Sequence, residues 1–169
     1  MTPQPPDADH ERADPAATLH AACIARRGRC ALLRGASGSG KSDLALRFLE
    51  AYPDAWLVAD DQVILEAHHG HLHARPPQAL SGLLEVRGLG LVRRAVPAHA
   101  GLWPVVLIGQ LVAGGAMPRI AEPRFEALRG VRVPVVPVAA FEASAAAKLA
   151  LALETIGNGT FPGENGLLV

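Results

Sequence analysis

Gly35-Ala36-Ser37-Gly38-Ser39-Gly40-Lys41-Ser42 is the stretch that decides how this chain is read. It fits the G-x-x-x-x-G-K-[ST] phosphate-binding loop at every fixed position, and that motif demands a strand before it and a helix after it. Both are legible. Cys30, Ala31, Leu32 and Leu33 form a short buried-strand run, while Leu44, Ala45, Phe48 and Leu49 recur at helical spacing. Each fixed position has a physical job. Glycines let the backbone curl until its N–H groups face an anion, and the helix that follows adds its positive end. Lys41 reaches the outer phosphates and Ser42 offers an oxygen to magnesium. A glycine-rich turn that matches by accident is the competing account, and it explains neither flank. Of the 16 lysines and arginines only Lys41 and Lys148 are lysine, so a lysine at the phosphate position points to a need for a compact ammonium.

The 169 residues suffice for one domain with a sizeable core. Half are hydrophobic and 4% aromatic, with alanine, valine and leucine supplying the packing, which suits a sheet covered by helices. The fold class expected is therefore α/β, a phosphate-loop domain. Formal net charge is zero, so no basic excess calls for nucleic acid. Cys23 and Cys30 are the only cysteines and lack metal or disulfide-framework spacing, so they read as small core residues. Met1 to Asp7 lacks the basic start and apolar core of a signal peptide. With no stretch of ~18 uninterrupted apolar residues, a soluble cytoplasmic protein is expected, with no membrane partner.

Residues 1–17 are rich in proline, acid and alanine and are expected to be a flexible tail; 18–157 would be the catalytic domain and 158–169 a second tail. Leu19 to Ile24 reads as a strand, Arg26-Arg27-Gly28-Arg29 as a turn, and Cys30 to Leu33 as the strand paired back on it. Trp56 to Ala59 is another short apolar run, and it ends on Asp60 and Asp61 before Val63-Ile64-Leu65 continues. Leu83 to Val92 is broken at Gly88-Leu89-Gly90, and Val105 to Val112 is a strong strand. Val131 to Val138 carries prolines that confine it to an edge or a covering loop. Ser144 is a candidate N-cap for a helix over Ala145 to Thr155 that stops at Gly157.

A phosphate loop cradles charge but does no proton chemistry, so phosphoryl transfer also needs a carboxylate near the metal and a group to orient the nucleophile. Asp60 and Asp61 sit at a strand end, where the loop and a neighbouring strand's carboxyl end would meet. A solvent-facing acidic turn is the bland alternative.

The third element, Leu84-Glu85-Val86-Arg87-Gly88-Leu89-Gly90-Leu91-Val92, resembles the signature of HPr kinase/phosphorylase, the bacterial enzyme that acts on a serine of the phosphocarrier protein HPr. Thr18-Leu19-His20 resembles that family's histidine-bearing strand, Gly35 to Ser42 its nucleotide loop, and Val58-Ala59-Asp60-Asp61 its acidic junction, all in family order. The resemblance covers Thr18 to Val92. It implies a mixed central sheet flanked by helices, of the phosphoenolpyruvate-carboxykinase-like phosphate-loop architecture. ATP and Mg2+ would be the cofactors and HPr the partner, with a homo-oligomer, by resemblance a hexamer. Lys41 and Ser42 would serve phosphate and magnesium, Glu85 would be a second magnesium ligand, and His20 would sit beside the reacting phosphate. One of Asp60 and Asp61 would be the base for the serine hydroxyl, the other near the metal, and the choice between them stays open. Arg87 and Gly88 would line the phosphate pocket.

Past Val92 the likeness thins. Arg119 is the nearest match to the family's next arginine, with Arg124 competing. Val135-Val136-Pro137-Val138-Ala139-Ala140-Phe141 stands where the family has Pro-Gly-Arg-Asn, so the reverse, phosphate-driven reaction is expected to run poorly. The chain resembles the short, kinase-domain-only form of alphaproteobacteria.

His68, His69, His71 and His73 crowd around Gly70, but without a completing acid or cysteine they read as a solvated hairpin turn rather than a metal site. Arg93-Arg94 is a candidate contact for an acidic partner, and Trp56 and Trp103 read as packing residues. Two other functions remain open beside the HPr kinase: a small-molecule kinase on the same loop, and a non-catalytic nucleotide-dependent regulator.

Overall fold

A computed structural model describes residues 17–97 and 101–161. Of the tails expected over 1–17 and 158–169, residues 1–16 and 162–169 lie outside the described residues, while Ala17 belongs to a strand and Asn158 to a 3-10 turn. The strands are β1 (Ala17–His20), β2 (Ala22–Arg26), β3 (Arg29–Arg34), β4 (Ala55–Ala59), β5 (Gln62–His68), β6 (His71–Arg75), β7 (Leu83–Val86), β8 (Gly90–Arg93), β9 (Trp103–Leu111), β10 (Arg124–Leu128) and β11 (Val131–Val138). Among the described residues, two α-helices, α1 (Lys41–Ala51) and α2 (Ala145–Glu154), accompany them with short 3-10 turns. The α/β class is as expected.

β2 and β3 form the predicted hairpin. Its two-residue turn closes because Arg27 and Gly28 take positive φ, 51° and 76°, the geometry whose twist matches the flanking strands. Side chains then alternate. Ala22, Ile24, Ala31 and Leu33 join one core, while Cys23, Ala25, Cys30 and Leu32 join the other on the opposite face. Burial of both faces makes this hairpin the centre of the sheet. Both cysteines are free thiols in that core, and burial pushes the Cys30 thiol well above its ordinary pKa.

Strand order is β1-β5-β6-β9-β3-β2-β4, with β11 joining β9 and β10 joining β11. β3 flanks β9 along one side. On the other, β6 pairs only at Trp103 and Pro104 and β11 only from Ile108 to Leu111, so the sheet forks there. β2 runs antiparallel to both β3 and β4, and β3, β9 and β11 are mutually parallel. It follows that β3, β4, β9 and β11 all end at one edge, where an open α/β sheet binds its ligand.

The helices cover one face only. Leu44 and Phe48 of α1 pack with Leu149 and Leu153 of α2 over Ile24, Leu33 and Leu107. The expectation of a sheet flanked by helices needs that refinement. Its other face is closed by the sheet's own curl, with Val63, Leu65 and Leu72 meeting Cys23, Leu32, Ile108 and Val133. Antiparallel strands such as β1, β5 and β6 need no crossover helix, which is why that side has none.

Four sequence expectations are corrected. The strand expected over Leu19 to Ile24 is two, broken at Ala21, where the chain passes from pairing with β5 to pairing with β3 and β4. Val131 to Val138 is no simple edge, because it lies between β9 and β10; yet Pro134 falls where only β10 pairs and Pro137 where only β9 does. Each proline thus has an open flank for its missing N–H. Ser144 holds the N-cap position of α2, as expected, and its carbonyl accepts from the Lys148 N–H at 2.8 Å, but its side chain makes no capping hydrogen bond. The helix ends at Glu154, ahead of Gly157, and a 3-10 turn over Ile156–Asn158 carries the chain on to Gly159.

Candidate active site

The loop between β3 and α1 owes its shape to glycine. A Cβ on Gly35 would meet Ser39 Oγ at 2.5 Å and Leu111 Cβ at 3.0 Å, so the loop's start has no room for one. Gly40, at φ 95°, turns the chain into α1 and supplies no side-chain cap, which leaves the first N–H groups of the helix free for an anion. Lys41 is buried, its Nζ donating to the carbonyls of Gly35 and Ala36 at 3.0 Å each. The ammonium is thereby held inside the curl of the loop.

Upstream, Arg34 anchors the end of β3. Its guanidinium forks onto both carboxylate oxygens of Glu126 at 2.6 Å and reaches Gln110 at 3.2 Å. That grip holds the Glu126 carboxyl below its usual range. β10, which carries Glu126, is a strand the sequence reading did not identify.

Asp60 and Asp61 adopt opposite environments. Asp60 is buried, 6% exposed; its Oδ1 accepts from Ser42 Oγ at 2.8 Å and its Oδ2 from the Glu85 N–H at 3.1 Å. One carboxylate therefore ties the loop to β7. Asp61, at φ 69°, turns the chain from β4 to β5 in a left-handed conformation that aspartate tolerates better than most. Its side chain is 62% exposed and lies 3.0 Å from His20 Nδ1.

These groups line one cleft of about 370 Å3, together with Ser37, Gly38, Gly40, Glu85 and Arg87. Arg87 Nη2 comes within 4.0 Å of the Cβ position of Gly38, so a guanidinium stands over the loop. Gly88 sits in the turn beyond and is not a lining residue, and neither Arg119 nor Arg124 lines the cleft. The sequence reading missed Asp43, Leu46, Val86 and Phe141, which do. Asp43 and Leu46 follow from the helix that starts at Lys41. Phe141 follows β11, and only the parallel β9–β11 pairing brings that end to the cleft.

The oxygen set of Ser42, Asp60 and Glu85 fits a hard divalent cation. Among the described residues no group of three or more His, Cys, Asp and Glu side chains is arranged to hold a metal by itself. The histidine turn is a hairpin in which His68 Nε2 pairs with Glu66 Oε2 at 3.2 Å.

Residues 11–96, just over half of the chain, match the family described as the HPr serine kinase C-terminal domain. The chain belongs to that family. Among its relatives is the HPr kinase/phosphorylase of Clostridium tetani, 38% identical over 96 residues, which are 57% of this chain and 30% of that protein. Another is the HPr kinase/phosphorylase of Bordetella pertussis, 43% identical over 79 residues, 46% of this chain and 25% of the other. The matched segment is thus less than a third of either relative. A solved structure, the Hpr(Ser) kinase/phosphatase from Coxiella burnetii, superposes with a TM-score of 0.63 at 24% identity, covering 85% of this chain and 95% of that one. The likeness establishes a shared fold. Among the described residues no helix of the chain is long and apolar enough to cross a membrane.

Proposed function

We propose that the chain is an ATP-dependent kinase that phosphorylates a serine of an HPr-type phosphocarrier protein. The observation that carries the reading is the split between the adjacent aspartates. Asp60 is buried against the loop hydroxyl of Ser42, and Asp61 is exposed beside His20 in the same cleft. Phosphoryl transfer needs those two carboxylates in two different settings.

In this reading the loop N–H groups and Lys41 hold the β- and γ-phosphates. Ser42, Asp60 and Glu85 would hold magnesium, which when bound neutralises charge on the phosphate oxygens. Asp61 accepts the proton of the substrate serine as its oxygen forms a bond to the γ-phosphorus. The bond from that phosphorus to the bridging oxygen breaks, and ADP leaves with the electron pair. His20 Nδ1 orients the Asp61 carboxylate and stabilises its charge before the transfer. Arg87 stabilises charge on the transferring phosphoryl group, because it lines the cleft, whereas Arg119, the nearest match to the family's next arginine, does not.

The proposal extends to a cytoplasmic enzyme that acts on the phosphotransferase system and so on carbohydrate metabolism, assembled as a hexamer. Sedimentation of the purified protein tests the assembly. The function is tested by incubating it with ATP, magnesium and HPr and mapping the label. Phosphoserine on HPr supports the kinase. ATP turnover without HPr labelling points to a small-molecule kinase instead, and nucleotide binding without turnover to a regulator.

A further inference from the structure

Phe141 lines the cleft, and the phosphoryl chemistry leaves it without a task. Its ring is 73% exposed, yet it is not loose. Cζ and Cε1 would lie 2.9 and 3.0 Å from a Cβ placed on Gly40, so the ring edge rests on the backbone of the phosphate loop. The segment that carries it is a turn closed by the Glu142 N–H on the Ala139 carbonyl at 3.1 Å. Arg47 clamps that turn to α1, donating to the carbonyls of Ala140 and Glu142 while it also holds Asp43 at 2.8 Å. Backbone on both sides of Phe141 is therefore fixed to the helix that opens the phosphate site, and the ring alone stands out.

A pinned aromatic with a free face is a surface prepared for a flat partner. The cleft's lining separates by chemistry. Phosphate and metal account for Lys41, Ser42, Asp60 and Glu85, while Leu46, Val86 and Phe141 remain as apolar surface. A triphosphate alone gives that surface nothing to bind, whereas a nucleotide carries a base whose π-face stacks on an aromatic ring. We propose that Phe141 is the stacking platform for the base of a purine nucleoside triphosphate whose phosphates occupy the Gly35–Ser42 loop. This rests on the phosphate-loop reading above and adds the group that recognises the nucleoside.

The test compares Mg-ATP with Mg-tripolyphosphate, which offers the same charge without a base, by calorimetry on the full chain. Phe141→Ala should weaken ATP about tenfold or more, the range that alanine removal of a stacked aromatic covers, and leave tripolyphosphate within twofold. Because the ring is exposed, the variant should melt with the wild type. Phe141→Trp should keep ATP affinity, and its added indole fluorescence should be quenched by ATP and not by tripolyphosphate. Unchanged ATP affinity in Phe141→Ala overturns the platform, as does an equal loss for both ligands. Wild-type protein that binds tripolyphosphate as tightly as ATP overturns it too, with the phosphate loop intact. Protein that binds neither ligand refutes the loop reading and the platform together.

Discussion

Converting Asp60 and Asp61 separately to asparagine should give two different phenotypes from one isosteric change. At Asp60 both carboxylate oxygens accept, from Ser42 Oγ and from the Glu85 N–H. An amide can satisfy only one of those donors in the same way. The Glu85 N–H cannot reverse, so the amide oxygen must face it and the amide NH2 must face Ser42, whose hydroxyl then turns to accept. Both hydrogen bonds lose their charge assistance, at about 1 kcal/mol each. For a chain of this size about 1 kcal/mol moves the melting temperature by roughly 2–4 °C, so Asp60→Asn should melt several degrees low. It should also need more magnesium, because the Ser42 lone pair is now engaged. Asp61 is exposed and its partner His20 is exposed as well, so Asp61→Asn should melt within about 1 °C of the wild type. Its turnover on HPr should fall ~10²–10⁴-fold, since a general base acts on the transition state, while ATP affinity holds. The measurements are a melting curve, a magnesium titration and a steady-state rate for each variant. Wild-type turnover in Asp61→Asn, or the stability loss appearing at Asp61 in place of Asp60, would refute the division of roles.

Lys41→Ala should lower phosphoryl transfer at least ~10²–10³-fold, because it removes the cation aimed at developing phosphate charge; labelling of HPr at saturating ATP measures it. The Arg34–Glu126 pair should make the end of β3 acid-sensitive. Glu126 is held below its ordinary 4.5, so its contribution is complete above pH 4.5 and is lost as pH falls through the lower folded value. Glu126→Gln should therefore cost about 1 kcal/mol at pH 7 and progressively less as pH falls below 4.5, read from melting curves across that range. The reverse reaction should be slow, because Ala139, Ala140 and Phe141 offer no charge for a second anion; pyrophosphate release from phosphoserine-HPr with inorganic phosphate, at a rate matching the forward reaction, would contradict this.

Legibility followed the range of the forces involved. The loop, α1 and the β2–β3 hairpin rest on contacts within a few residues, such as the Arg27-Gly28 turn and the Leu44–Phe48 spacing, so the sequence displays them directly. β10 rests on pairing with β11 and on the distant Arg34–Glu126 contact, and nothing in Arg124 to Leu128 by itself demands a strand. Phe141 was hidden for the same reason. Its place at the cleft depends on the parallel pairing of Val135 to Val138 with β9, a contact that two prolines in the segment argued against. Those prolines proved compatible only because β11 exchanges one neighbour for the other along its length, and no local pattern announces that.

The choice between Asp60 and Asp61 was open in the sequence for a sharper reason: the residues are identical and adjacent, so composition and spacing treat them alike. Geometry separates them. Along an extended strand successive side chains point to opposite faces, and here the second residue also turns left-handed at φ 69°, which carries its side chain away from the loop. Asp60 extends the run of Leu57, Val58 and Ala59, which is buried on both faces of the sheet, and meets Ser42, while the Asp61 backbone ties to Ala21 through its carbonyl at 3.2 Å. That second contact falls at the break between β1 and β2. The interruption at Ala21 thus has a consequence for the site: it lets β1 leave the central hairpin for β5 and brings His20, at its end, within hydrogen-bond distance of Asp61. An uninterrupted strand over Leu19 to Ile24 would have kept His20 in line with β2, and the exposed carboxylate would have lost its neighbour at 3.0 Å.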